Sequence, residues 1–170
     1  AGEDGVDHRL EGLSAADVYL SPLGQATDTA AERLWANLSV GGETACDLRV
    51  KGRLLHVPRA AGRRARFTFS ELCDQPLGAV DYRTIARHFE LVMVTGVPRI
   101  AAGERNRAKR FITLVDVLYD AGCALVLTAD GEPVDLYDAP NGTEAFEFAR
   151  TASRLIEMRT EAWLRRAATR

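Results

Sequence analysis

Lysine is almost missing from this sequence: Lys51 and Lys109 stand alone, and every other basic side chain is arginine. A phosphate-binding loop of the form GxxxxGK[ST] needs a lysine directly after a glycine, because its ammonium group reaches the β- and γ-phosphates of a bound nucleotide. Here Lys51 follows Val50 and Lys109 follows Ala108, so that loop is absent. The arginine bias suits phosphate or carboxylate recognition, but a GC-rich genome produces the same bias, and we take that as its origin. Cysteine is scarce as well. Cys46, Cys73 and Cys123 are odd in number, far apart and without a CxxC pair, which excludes a disulfide framework and a zinc site. His8, His56 and His88 lie at no helical spacing from one another or from a cysteine. All six residues are read as structural or surface groups, in a reducing compartment.

Long apolar runs are also lacking. None approaches the roughly 20 residues that span a bilayer, and the opening AGEDGVDHRLEGL has no basic stretch followed by an apolar core. The expectation is a soluble, cytoplasmic protein; the start at Ala1, with no nucleating element before it, suggests a fragment. A formal net charge of −2 gives no global attraction to nucleic acid or anionic lipid.

What is present suffices for one compact domain or two small ones: 46% of the residues are hydrophobic and 27% charged. After the SPLG turn at 21–24, Thr27 or Asp28 can cap a helix with Ala31, Leu34, Trp35 and Leu38 on one face. Residues 48–57 alternate around Gly52 and Arg53, and 66–69 alternate again after Gly62, which predicts a small antiparallel meander. Its loop carries the densest basic cluster, Arg59, Arg63, Arg64 and Arg66.

A short helix near 81–88 leads to a buried strand at 91–94. A helix of about four turns follows, with Ala108, Phe111, Ile112, Val115, Leu118 and Tyr119 on one stripe, and Gly122 ends it before a second buried strand at 124–127. That order predicts a parallel β-α-β unit. Beyond a polar loop at 130–142, one long final helix from about Glu144 is expected to bury Phe148, Ala152, Leu155, Ile156 and Trp163. Arg150, Arg154, Glu157, Glu161 and Arg165 then form a charged stripe whose members pair with each other. The predicted class is mixed α/β, divided into a helical lid-like segment (1–43), an antiparallel meander (44–70) and an α/β unit with the C-terminal helix (71–170).

Catalytic constellations are hard to find. The string ITLVD at 112–116 has the shape of a Walker B strand, in which apolar residues end in the aspartate that helps hold Mg²⁺. It falls inside the helical stripe, however, and Val117 stands where the water-activating glutamate belongs. Asp116 is therefore read as a helix residue. No GxSxG pattern offers a nucleophile, and Asp116, Asp120, Asp130, Glu132, Asp135 and Asp138 read as solvated loop and cap residues. Phe67 and Phe69 beside the basic loop suggest single-strand nucleic-acid binding. Alternation places both on one strand face as core residues, which makes nucleic acid the weaker reading.

Several co-linear blocks resemble the ZapE family of AAA+ ATPases, bacterial division-associated proteins with mitochondrial relatives. They are HRL (8–10), VYLSPL (18–23), VKGR (50–53), FSELC (69–73), PLGAVDY (76–82), RFITLVD (110–116), LYD (118–120) and FARTASRLIEM (148–158). The last is the most specific, and together they cover nearly the whole chain. In that family the Walker motifs precede the matched region. The resemblance therefore implies the C-terminal portion of a P-loop NTPase, with the catalytic ATPase core upstream as its partner. It also implies ATP and Mg²⁺ as cofactors of the complete protein, a homo-oligomer and, for bacterial members, action on FtsZ at the division site. Under the resemblance Arg154, and after it Arg150, is a candidate lid arginine for a nucleotide phosphate, and Arg110 a candidate arginine finger; structural salt bridges are the alternative for all three. The β-α-β unit at 90–137 has the layout of an AAA+ core around Walker B and the sensor strand without its Asp-Glu pair, which suggests a degenerate, non-catalytic unit. The rival reading is a non-enzymatic interaction module that docks an acidic partner through Arg59–Arg66.

Overall fold

A computed structural model describes residues 13–170 of the protein; His8 and the HRL block lie outside the described residues. A short helix α1 (Ala15–Val18) runs into β1 (Tyr19–Leu20), followed by α2 (Gln25–Leu38) and the strands β2 (Thr44–Val50), β3 (Arg53–Ala61) and β4 (Arg64–Thr68). Helices α3 (Phe69–Cys73) and α4 (Ala79–His88) lead to β5 (Leu91–Val97) and β6 (Ile100–Ala101). Then come α5 (Arg105–Ala121), β7 (Ala124–Ala129), a 3₁₀ turn (Pro133–Asp135), β8 (Tyr137–Asp138), α6 (Thr143–Met158) and α7 (Glu161–Ala168).

The expected meander and the expected β-α-β unit are parts of one six-stranded sheet, in the order β1-β7-β5-β4-β3-β2. β5 and β7 pair in parallel, with Val92 opposite Leu125 and Met93 opposite Val126. β4 joins β5 and β1 joins β7, both in parallel, whereas β3 and β2 add on antiparallel at one side. Taken in chain order, the four parallel strands lie first, fourth, third, second across the sheet. Strand alternation sends Val92, Val94, Leu125 and Leu127 to one face, against Phe69, Tyr82, Phe111 and Phe148 of α3 to α6. Leu91, Met93, Ala124 and Val126 point the other way, onto Val18, Trp35 and Leu38 of α1 and α2 and Leu164 of α7. Burial on both faces explains why these two strands read as unbroken apolar runs.

Four local features differ from expectation. α2 starts earlier, with Gly24 at its N-cap; Thr27, inside the first turn, donates to the Pro22 carbonyl at 2.6 Å. The strand from Arg66 stops at Thr68, because Thr68 and Glu71 form a reciprocal capping box (Glu71 N–H to Thr68 Oγ1, 3.1 Å; Thr68 N–H to Glu71 Oε1, 2.7 Å) that turns Phe69 into the first residue of α3. Both phenylalanines are nonetheless buried. The final helix is two helices. Thr160 accepts the Trp163 N–H at 3.2 Å and starts α7 afresh, so Ile156 is 48% exposed and Trp163 leaves the α6 face to donate to the Cys123 carbonyl at 3.2 Å. Finally, the polar loop after β7 contains β8, which pairs in parallel with β6.

Candidate functional site

In open α/β sheets ligands collect in the crevice outside the carboxyl ends of the parallel strands. Here that edge is built from the ends of β1 and β7 and the start of α2, and β1, the SPLG turn and α2 reproduce the strand–loop–helix order of a phosphate-binding loop. Its own side chains close it. The Tyr19 hydroxyl donates to the Gly131 carbonyl at 2.7 Å; Ser21 donates to Glu132 at 3.1 Å, and Arg159 to the other Glu132 oxygen at 3.0 Å. The Arg159 guanidinium also lies 4.7 Å from the centre of the Tyr19 ring, and burial pushes the Tyr19 phenol up from its ordinary pKa.

A triphosphate fits this edge poorly. Gln25 follows Gly24 where a phosphate-binding lysine would stand, the Arg159 guanidinium is matched by Glu132, that of Arg99 donates to the Asp130 carbonyl at 2.9 Å, and the Glu132 carboxylate repels phosphate. The strand end at Val94, Thr95 and Gly96 carries no acid. Among the described residues no group of three or more His, Cys, Asp or Glu side chains is placed to hold a metal ion. These residues do not fit ATP or Mg²⁺ as ligands.

Asp116 lies in mid-helix, as its place in the stripe predicts, and ties α5 to α6. Arg154 donates to one of its oxygens and Arg150 approaches the other at 3.7 Å. Arg154 also lies 4.7 Å from the Tyr119 ring centre, while the Tyr119 hydroxyl donates to Glu157 at 2.7 Å and its ring stacks on Trp163 at 4.9 Å. Arg150, Arg154 and Glu157 thus pair across to α5 rather than along their own stripe. The two candidate lid arginines differ in freedom: the Arg154 side chain is 23% exposed and that of Arg150 57%. Arg110 sits apart from both, donating to the Cys73 carbonyl at 3.4 Å.

The basic cluster at 59–66 lies mostly in strands rather than a loop. Arg59, on β3, forms a two-pronged pair with Glu43 (2.8 and 3.0 Å), which holds the Glu43 carboxyl down at a pKa of about 2. Arg63, in the turn, reaches Glu90 at 3.7 Å. Arg64, 5% exposed, donates to the Leu38 carbonyl at 3.1 Å and lies 3.6 Å from Glu90; Arg66, 8% exposed, is paired with Glu32. The neutralising carboxylates come from α2, the loop after it and Glu90, the residue before β5. No local spacing links them to the cluster.

Comparison with known proteins agrees with this architecture. The sequence pattern of the AFG1-like ATPase family matches residues 2–167. Cell division protein ZapE of Escherichia coli (strain K12) is 35% identical over 164 residues, covering 95% of this chain and 43% of that protein. Lactation elevated protein 1 homolog B of Danio rerio is 36% identical over 144 residues, 67% of this chain and 29% of that protein. An uncharacterized protein of Schizosaccharomyces pombe is 30% identical over 144 residues, 69% and 32% of the respective chains. No solved structure matches. The chain spans less than half the length of these relatives. With a mixed α/β fold, a mostly parallel sheet and a family match along nearly its whole length, it belongs to the AFG1-like ATPase family.

Proposed function

We propose that this chain is the C-terminal, non-catalytic α/β portion of an ATP-hydrolysing protein, in which ATP and Mg²⁺ are bound by the part of the protein that this chain does not span. The observation that carries the reading is the closed carboxyl edge, where Glu132, Arg159, Ser21 and Tyr19 satisfy one another and no lysine follows Gly24. A unit that keeps the strand–loop–helix order of an NTPase but fills its ligand crevice serves as a scaffold for a neighbouring site. Of the three candidate arginines, Arg150 is the one we assign to a nucleotide phosphate. It is the more exposed of the Asp116 pair and leaves Arg154 behind to satisfy the carboxylate, whereas withdrawing Arg154 breaks a charge pair and a ring contact together. By similarity to ZapE the complete protein acts in cell division, as an oligomer in which this arginine faces another subunit or the upstream core.

The test is ATP hydrolysis by the complete protein. Arg150→Ala is expected to lower kcat by at least about tenfold, toward the larger losses seen when an arginine finger is removed, with unchanged thermal stability. Arg154→Ala is expected to act mainly on stability. Wild-type turnover in Arg150→Ala would remove the arginine from the proposal.

A further inference from the structure

The cations that read as a docking surface in the sequence are spent on internal carboxylates, but the fold assembles a second basic cluster from segments far apart in the chain. Arg83 and Arg87, on α4, line one concavity with Arg170, and Arg166, on α7, lines a second with the same Arg170. They line two adjoining concavities of about 410 and 320 Å³ that share Asp120, Ala121 and Arg170. All four arginines are exposed, and among the described residues none of them has a carboxylate side chain within 4 Å. Arg53, Arg59, Arg64, Arg66, Arg107, Arg154 and Arg159 all have one. The carboxyl ends of α4 and α7 attract cations through their partial negative charge. Arg170 donates to the Phe89 and Ala86 carbonyls that close α4, whereas Arg83 lies outside the last turn of that helix.

We propose that this pole docks an acidic protein segment, one whose carboxylates alternate with apolar side chains. The arginines supply forked donors that match carboxylates. Between them Ala86, Val117 and Ala121 form an apolar floor that takes up an aliphatic side chain. A nucleic-acid strand finds no stacking platform here, because Trp163 is buried, with Tyr119 and Arg166 packed on its ring. Asp120, the one carboxylate side chain among the described lining residues, is shared by the two concavities and disfavours a continuous polyphosphate track. This surface is independent of the nucleotide reading above, since no arginine is shared.

Binding is measured on the complete protein, without nucleotide, by fluorescence anisotropy of a labelled peptide of about twelve residues that repeats Glu-Glu-Leu. The expected result is saturable binding that weakens as salt is raised from about 50 to about 300 mM. The double variant Arg83→Ser, Arg87→Ser and the single variant Arg166→Ser, changed on separate elements, are each expected to lose about fivefold or more in affinity. Arg33→Ser and Arg49→Ser, exposed arginines elsewhere on the surface, should bind as wild type. Equal affinity of the α4 and α7 variants and wild type overturns the proposal, as does absence of peptide binding. Tighter binding of a single-stranded oligothymidylate at the same residues replaces the acidic segment with nucleic acid.

Discussion

Arg154 touches α5 in two ways, through the Asp116 carboxylate and across the face of Tyr119, with less than a quarter of its side chain in solvent. Removing it leaves Asp116 with only the long contact to Arg150, so Arg154→Ala is expected to destabilise the fold by about 1–2 kcal/mol in urea titration. Asp116→Asn should be strongly non-additive with it. A second residue-scale expectation concerns acid. Arginine hydrogen bonds hold Glu43 at about 2 and also lower Glu32 and Asp74. A carboxylate with a depressed native pKa binds fewer protons folded than unfolded; its stabilisation is full above the ordinary carboxylate range and is lost as pH falls through the native value. The melting temperature should therefore drop from about pH 4.5 toward pH 2, and Glu43→Gln should flatten that slope. Burial raises the Cys73 and Cys123 thiols to about 12, which leaves the half-buried Cys46 to react first with a thiol reagent. At this scale the sequence was a partial guide. Asp116 was legible as a helix residue from its place on the α5 stripe, whereas the pairing of Arg59 with Glu43 and of Arg66 with Glu32 depends on how α2 and the loop after it pack on the sheet.

Elements were legible where a hydrophobic period ran uninterrupted and a strong stop followed. α5 carries one stripe over 17 residues and ends at Gly122 in the left-handed conformation, φ 69°. Gly122→Ala has room, since the nearest atom to an added Cβ would be Arg170 Cδ at 3.9 Å, and is expected to cost about 1 kcal/mol from the backbone alone. The break between α6 and α7 is not legible in the sequence, because charged and apolar residues continue at helical spacing across Arg159 and Thr160. Only a side-chain cap, Thr160 Oγ1 accepting the Trp163 N–H, ends the register. Thr160→Ala should cost about 1 kcal/mol and fray α7, seen as a red shift of the Trp163 emission. The two-residue strands β1, β6 and β8 are too short to show a period of two, and their partners lie far along the chain.

Across the whole molecule, the sheet order explains why the fold looks like an NTPase and lacks the means to hold its ligand. Four parallel strands, burial on both faces and a strand–loop–helix entry are present; the glycine-lysine pair and an acid at the end of β5 are not. The apolar runs of β5 and β7 announced the parallel core. The ligand crevice was not legible, because its closure rests on Tyr19, Ser21, Glu132 and Arg159, which lie up to 140 positions apart in the chain and meet only when β1 joins β7. The most direct measurement is a titration of this chain, shown to be folded by a cooperative melting transition, with a fluorescent ATP analogue and Mg²⁺. Our account predicts no saturable binding up to about 1 mM, beyond which an interaction is worth less than about 4 kcal/mol. Saturable micromolar binding that is lost with Arg159→Ala would contradict it, since the crevice would then hold nucleotide with the guanidinium we assign to Glu132.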